Sequence, residues 1–126
     1  MPNRSAHIIQ VQLPDYISKG FWLLPNQYGA AFLTLFSILR PGDELIIADP
    51  VYSPTRNLTE KYLKEFQILA KFYNPNDLST IKKNITKKTK LIYVENPGSN
   101  TFEFQDLGKI LSIAKSKKIY TAIDNT

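Results

Sequence analysis

Four short apolar runs, each preceded by a stretch with helical spacing, constrain this chain more than anything else in it. Residues 44–48, 68–73, 90–94 and 119–123 read as buried strands, the last of them Ile-Tyr-Thr-Ala-Ile. Helical patterns are expected from an Asn26 cap through Leu39, from about Thr55 to Phe66, from the Asn74-Pro75-Asn76-Asp77 break through Leu78, Ile81 and Ile85, and from about Asp106 to Lys117. Strands separated by whole helices cannot pair through hairpins. The expected fold is therefore α/β, with a mainly parallel sheet between two helical layers in a three-layer αβα arrangement.

Residues 1–22 carry a weaker pattern and are set apart as a divergent N-terminal segment from the unit at 23–126. Within them residues 7–13 read as a strand that Pro14 stops. The strands that would follow Asp124 in a larger sheet are lacking, which should leave an exposed edge beyond the strand at 119–123, an invitation to association.

Composition removes several function classes. Sixteen Lys and Arg against 11 Asp and Glu leave a formal charge of +5. The lysines cluster at helix ends, as in Lys115-Ser116-Lys117-Lys118, where they complement the helix dipole, and no aromatic or Arg-rich motif accompanies them. A solvated surface, without nucleic-acid binding, is the reading. No cysteine is present and His7 is the single histidine, so no thiolate nucleophile, disulfide framework or metal cluster is expected. No apolar run reaches membrane-spanning length, which gives no membrane partner and a cytoplasmic default. Neither a GxGxxG nor a P-loop pattern occurs, which counts against an independent nucleotide-binding domain.

Right-handed crossovers bring the strand ends at Ala48, Val94 and Ile123 to one edge of the sheet. Three loops meet there: Asp49-Pro50-Val51-Tyr52, Glu95-Asn96-Pro97-Gly98-Ser99 and Asp124-Asn125-Thr126. Together they offer an aromatic face, a polar loop and a carboxylate, a set that suits a flat, cationic aromatic ligand. Open α/β sheets bind ligands at this edge.

Four segments in order resemble the cystathionine β-lyase branch of the Cys/Met-metabolism pyridoxal-phosphate enzymes. They are Leu39-Arg40-Pro41-Gly42-Asp43, Val51-Tyr52-Ser53-Pro54-Thr55, the run from Thr89 to Glu103 that contains Glu95-Asn96-Pro97-Gly98-Ser99, and Ile123-Asp124-Asn125-Thr126. The resemblance implies a partial large domain of the aspartate-aminotransferase type, fold type I. Pyridoxal 5'-phosphate is the implied cofactor and a small sulfur amino acid such as cystathionine the implied substrate. Asp124 would pair with the protonated pyridine nitrogen, Tyr52 would stack on the ring, and Ser99 would lie near the ring hydroxyl. Gln27 and Tyr28 fall in the turn Asn26-Gln27-Tyr28-Gly29-Ala30, where relatives bind the cofactor phosphate, and Gln27 replaces a glycine there. The Pro97-Gly98-Ser99 version of the loop favours the β-lyase branch over the γ-lyase and synthase branches.

No position in the 126 residues matches the cofactor-bonding lysine or the C-terminal substrate domain that the resemblance implies, so no catalytic residue is assigned. The expectation is a fragment related to enzymes of C–S β-elimination and inactive alone. Its alternative is a non-catalytic partner of a full-length relative. Family members are homo-oligomers, so association with a second chain is implied in either case.

Overall fold

Continuous apolar stretches fold here as fully covered strands. The computed structural model describes residues 7–12, 20–24 and 35–125, the first two stretches by their backbone. Six strands form one sheet: β1 (His7–Gln12), β2 (Gly20–Leu24), β3 (Glu44–Ala48), β4 (Leu69–Tyr73), β5 (Thr89–Glu95) and β6 (Tyr120–Asp124). Their spatial order is β2-β1-β6-β5-β3-β4. The four expected strands are β4, β3, β5 and β6, all mutually parallel. Every residue of β3 is buried, as a strand covered on both faces requires.

Side chains alternate across the sheet, so the two faces carry separate cores. On one face Leu45, Ile47, Leu91, Tyr93 and Ala122 pack with Leu35, Leu39, Leu58 and Leu63. On the other, Ile46, Ala48, Ile92 and Val94 pack with Ile81, Ile110 and Ala114. The first face is covered by a helical turn at residues 35–38 and by α1, which runs Ser53–Asn57, continues through a π turn at Leu58–Tyr62 and ends at Leu63–Glu65. The second is covered by α2 (Ser79–Asn84) and α3 (Leu107–Lys117). Burying each such Leu or Ile contributes about 1.5–3 kcal/mol, and the apolar area on both faces holds the three layers together.

Local chemistry sets the element ends. Arg40 turns its guanidinium back onto the carbonyls of Phe36, Ser37 and Leu39 at 3.2, 3.2 and 2.9 Å, a cationic cap on the helical turn. Gly42 follows at φ +92°, a backbone conformation that a side chain resists. Asp106 caps α3 by accepting the Lys109 N–H at 3.0 Å. The expected helix from Asn26 is described only from residue 35 onward.

One expectation is corrected. The outer edge of β6 is not open: β1 pairs with it antiparallel, placing Ile9 opposite Asp124 and Gln12 opposite Thr121. β2 pairs in turn with β1, from His7 opposite Leu24 to Val11 opposite Gly20. Helix–strand alternation predicts parallel neighbours but carries no information about an antiparallel strand arriving from far away in sequence. Residues 7–13 read as a strand; which edge it would cover was not legible.

Candidate cofactor site

The parallel register brings the ends of β5 and β6 level, with Glu95 opposite Asp124, and the backbone ladder continues with the Asn96 N–H donating to the Asp124 carbonyl at 2.9 Å. By alternation both side chains continue the rows Leu91–Tyr93 and Tyr120–Ala122, on the face that α1 covers. Beside them the chain leaving β3 turns at Asp49-Pro50 and enters α1, with Tyr52 as the residue before the first helical turn. Pro54 in the first turn suits that helix start, since its missing N–H would have no intrahelical partner.

Glu95 organises these loops. Its Oε2 accepts the Tyr52 backbone N–H at 3.0 Å and the Ser99 backbone N–H at 3.2 Å, while its Oε1 accepts the Ser99 hydroxyl at 2.5 Å. Glu95 is only 3% exposed and Asp124 only 1%. Burial pushes the Glu95 carboxyl above the ordinary carboxylate range, and the Asp124 charge acts in the same direction against the lowering effect of the Ser99 and Tyr52 donors. The Tyr93 hydroxyl is buried on the same face, near the Asp124 carboxylate. Burial holds its phenol well above the usual tyrosine value, and the Asp124 and Glu95 carboxylates add to that. Glu95 and Asp124 thus place two buried carboxylates side by side at this end of the sheet.

A second polar network stiffens the β5 loop from the opposite face. Gln105, buried, donates its side-chain amide to the Glu95 carbonyl at 2.9 Å and its backbone N–H to Asn96 Oδ1 at 2.7 Å. The Tyr73 hydroxyl donates to Gln105 Oε1 at 2.5 Å, joining the end of β4 to the same loop. The Asn96-Pro97 peptide is cis. A Cβ at Gly98 would meet the carboxylate end of the Glu103 side chain, which would have to shift.

The structure therefore gathers three sequence-predicted residues around one carboxylate: Tyr52 through its backbone, Ser99 through backbone and hydroxyl, and Asp124 through strand register. The Tyr52 side chain is 37% exposed at the rim. Gln27 and Tyr28, assigned to the phosphate turn, lie outside the described residues, as does Thr126. Glu95 and Gln105 were not singled out as site residues. A signal existed for Glu95, since a glutamate ending an otherwise apolar buried strand needs partners. Gln105 gave none. A cavity of about 350 Å³ opens elsewhere, beside the edge strand β4 near Phe72, Thr80 and Lys83, separated from Asp124 by β3 and β5 in the sheet. Among the described residues no group of His, Cys, Asp and Glu is arranged to hold a metal ion, and no helix is long and apolar enough to cross a membrane.

A layered αβα domain with acidic and aromatic groups at the C-terminal ends of its parallel strands defines a class of protein that binds ligands across that edge. Comparison with known proteins narrows the class. The chain belongs to the family described as Cys/Met metabolism PLP-dependent enzyme, whose profile matches residues 22–126. A cystathionine β-lyase of Coxiella burnetii is 36% identical over 98 residues, which are 77% of this chain and 25% of that protein. A cystathionine β-lyase of Lactococcus lactis subsp. cremoris is 35% identical over 127 aligned residues, 98% of this chain and 33% of the other. Among solved structures, cystathionine γ-lyase of Lactobacillus plantarum, complexed with L-serine, superposes with a TM-score of 0.72 at 33% identity, over 77% of this chain and 26% of that one. The chain thus spans about a quarter to a third of the length of these relatives. Fold type I, expected from the resemblance, is the fold these matches show.

Proposed function

We propose that these residues form part of the cofactor domain of a cystathionine β-lyase-type enzyme, and that their own contribution is to receive the ring of pyridoxal 5'-phosphate. The observation that carries this reading is the buried Asp124 carboxylate at the end of β6, level with the buried Glu95 that binds the backbone of the partly exposed Tyr52. The donor set fits the ring end of the cofactor. A buried carboxylate next to another suits a protonated pyridine nitrogen, and the partly exposed Tyr52 offers a ring to stack on. The phosphate end falls to Gln27 and Tyr28 by the resemblance alone.

When bound, this cofactor supplies an electron sink, which in the β-lyase reaction serves C–S bond cleavage in a substrate such as cystathionine. Asp124 would keep a proton on the ring nitrogen. Tyr52 would orient the ring and exclude water from one face, and Ser99, fixed by Glu95, would border the ring edge. No residue here is assigned to bond formation or proton transfer at the substrate, so the 126 residues alone are expected to bind and not to turn over. Exposed Phe102 and Phe104, at 74% and 79% in the loop after Ser99, support the companion reading that the chain associates with a second copy or a full-length relative.

Titration of the isotopically labelled chain with pyridoxine and with pyridoxal phosphate, followed by NMR, tests the reading. Stacking plus one charged hydrogen bond contribute about 2–4 kcal/mol before association entropy, so millimolar affinity is expected. Shifts should centre on Tyr52 and Asp124 and weaken in Asp124→Asn. A response confined to surface lysines would sink the assignment.

A further inference from the structure

We propose that Glu95 is a positioning residue, a single carboxylate that locks the loop after β3 to the loop after β5 and thereby sets where the aromatic rim stands relative to Asp124. The ring-binding reading supplies the purpose of this clamp, but the clamp itself rests on geometry alone.

Three donors converge on Glu95 from two loops 43 and four residues away in sequence. Two of the three are backbone N–H groups, at Tyr52 and Ser99, so the carboxylate fixes the course of the main chain and not merely the pose of a side chain. The Tyr52 N–H lies immediately before the first turn of α1, where no intrahelical acceptor exists for it. The third donor, the Ser99 hydroxyl, engages the other carboxylate oxygen, so both oxygens are held and the group has a defined orientation. An apolar residue at this position would take the acceptor from two partly buried N–H groups, whereas the glutamate places a second acid beside Asp124. A fold selected for stability alone would avoid that pairing. Its presence here points to the loop arrangement as what the residue secures.

Asp124 from β6, Tyr93 from its own strand, and Ser99 and Tyr52 from the two loops are among the groups that act on Glu95, and both loop donors bind the Glu95 carboxylate directly. A change in its protonation must therefore be felt at both loops together.

The test is a pH series of amide spectra and hydrogen exchange on the full chain without ligand, so that failure of ring binding and failure of the clamp are told apart. The Tyr52 and Ser99 amides are expected to titrate with one shared midpoint above the ordinary glutamate value. Glu95→Gln, which keeps an acceptor and the shape, should abolish both titrations while retaining exchange protection at both amides. Glu95→Ala should lower protection at Tyr52 and Ser99 at least tenfold and leave Ile46 and Ile92 in the sheet unchanged. Should the alanine variant fail to fold, the wild-type and glutamine titrations decide. Separate midpoints, no titration in the wild type, titration surviving in Glu95→Gln, or protection lost evenly across the sheet would each overturn the proposal.

Discussion

Glu95 and Asp124 end neighbouring parallel strands at the same level, and both carboxylates are buried, at 3% and 1% exposure. Burial, and after it the nearby Asp124, raise the free energy of ionising Glu95. The arrangement is tolerable because Glu95 is fully engaged by the Tyr52 and Ser99 donors. Protonation of Glu95 is correspondingly favoured relative to a free glutamate.

Stability should therefore depend on pH through Glu95. Its folded pKa lies above the unfolded value, so between the two the native state binds more protons than the unfolded chain, and stability falls as pH rises across that window. Glu95→Gln removes this dependence. Urea midpoints measured from about pH 4 to pH 8 should decline less steeply in the variant than in the wild type. Parallel curves would show that Glu95 does not titrate in that range.

The four parallel strands were readable because each is a short apolar run bounded by a helical period, and β3, buried throughout, is the clearest case. Asp124 was readable as the polar residue ending the last of them. The β1–β6 pairing was not, because antiparallel contact over more than a hundred residues leaves no local periodicity. The Tyr73–Gln105 contact was hidden for a similar reason: a glutamine in a loop is ordinarily exposed, and only the fold brings a buried phenol to it. Glu95 stood in plain view at the end of a buried strand, yet its partners at Tyr52 and Ser99 are supplied by tertiary structure.

Removing residues 1–12 should convert a covered edge into an exposed one. β1 pairs on both sides, with β6 and with β2, so its loss strips the ladder from β6 and separates β2 from the sheet. Light scattering of the shortened chain is expected to show concentration-dependent association beyond any shown by the full chain. Identical scattering would mean that β1 does not protect β6 in solution.

Gly98→Ala should destabilise the loop through Glu103. The new methyl carbon would crowd both carboxylate oxygens of that side chain, which must swing away. Glu103 also accepts from Thr101, and that contact would be lost with the movement. Because the end of a flexible side chain can move, the cost should be small, about 1 kcal/mol or less. Combining it with Glu103→Ala should recover most of the loss, a coupling that a double-mutant cycle in urea would measure. Strictly additive effects would place the clash elsewhere.

Tyr73→Phe should be disproportionately costly for the loss of one oxygen. Tyr73 is 1% exposed, and its hydroxyl is the donor to Gln105 Oε1, itself buried; without it that oxygen loses this hydrogen bond in the interior. The expected loss is about 1–3 kcal/mol, the cost of orphaning a buried acceptor. Because Gln105 also holds the Glu95 carbonyl and Asn96 Oδ1, its displacement should disturb the β5 loop, so the Ser99 amide should exchange faster than in the wild type while amides of β3 stay protected. In a Gln105→Ala background the acceptor is already gone, and Tyr73→Phe should then cost less than it does alone. Urea denaturation of the four chains gives the coupling, and amide exchange gives its location. If Tyr73→Phe costs the same in both backgrounds and leaves Ser99 untouched, the hydroxyl does not link β4 to the site loop.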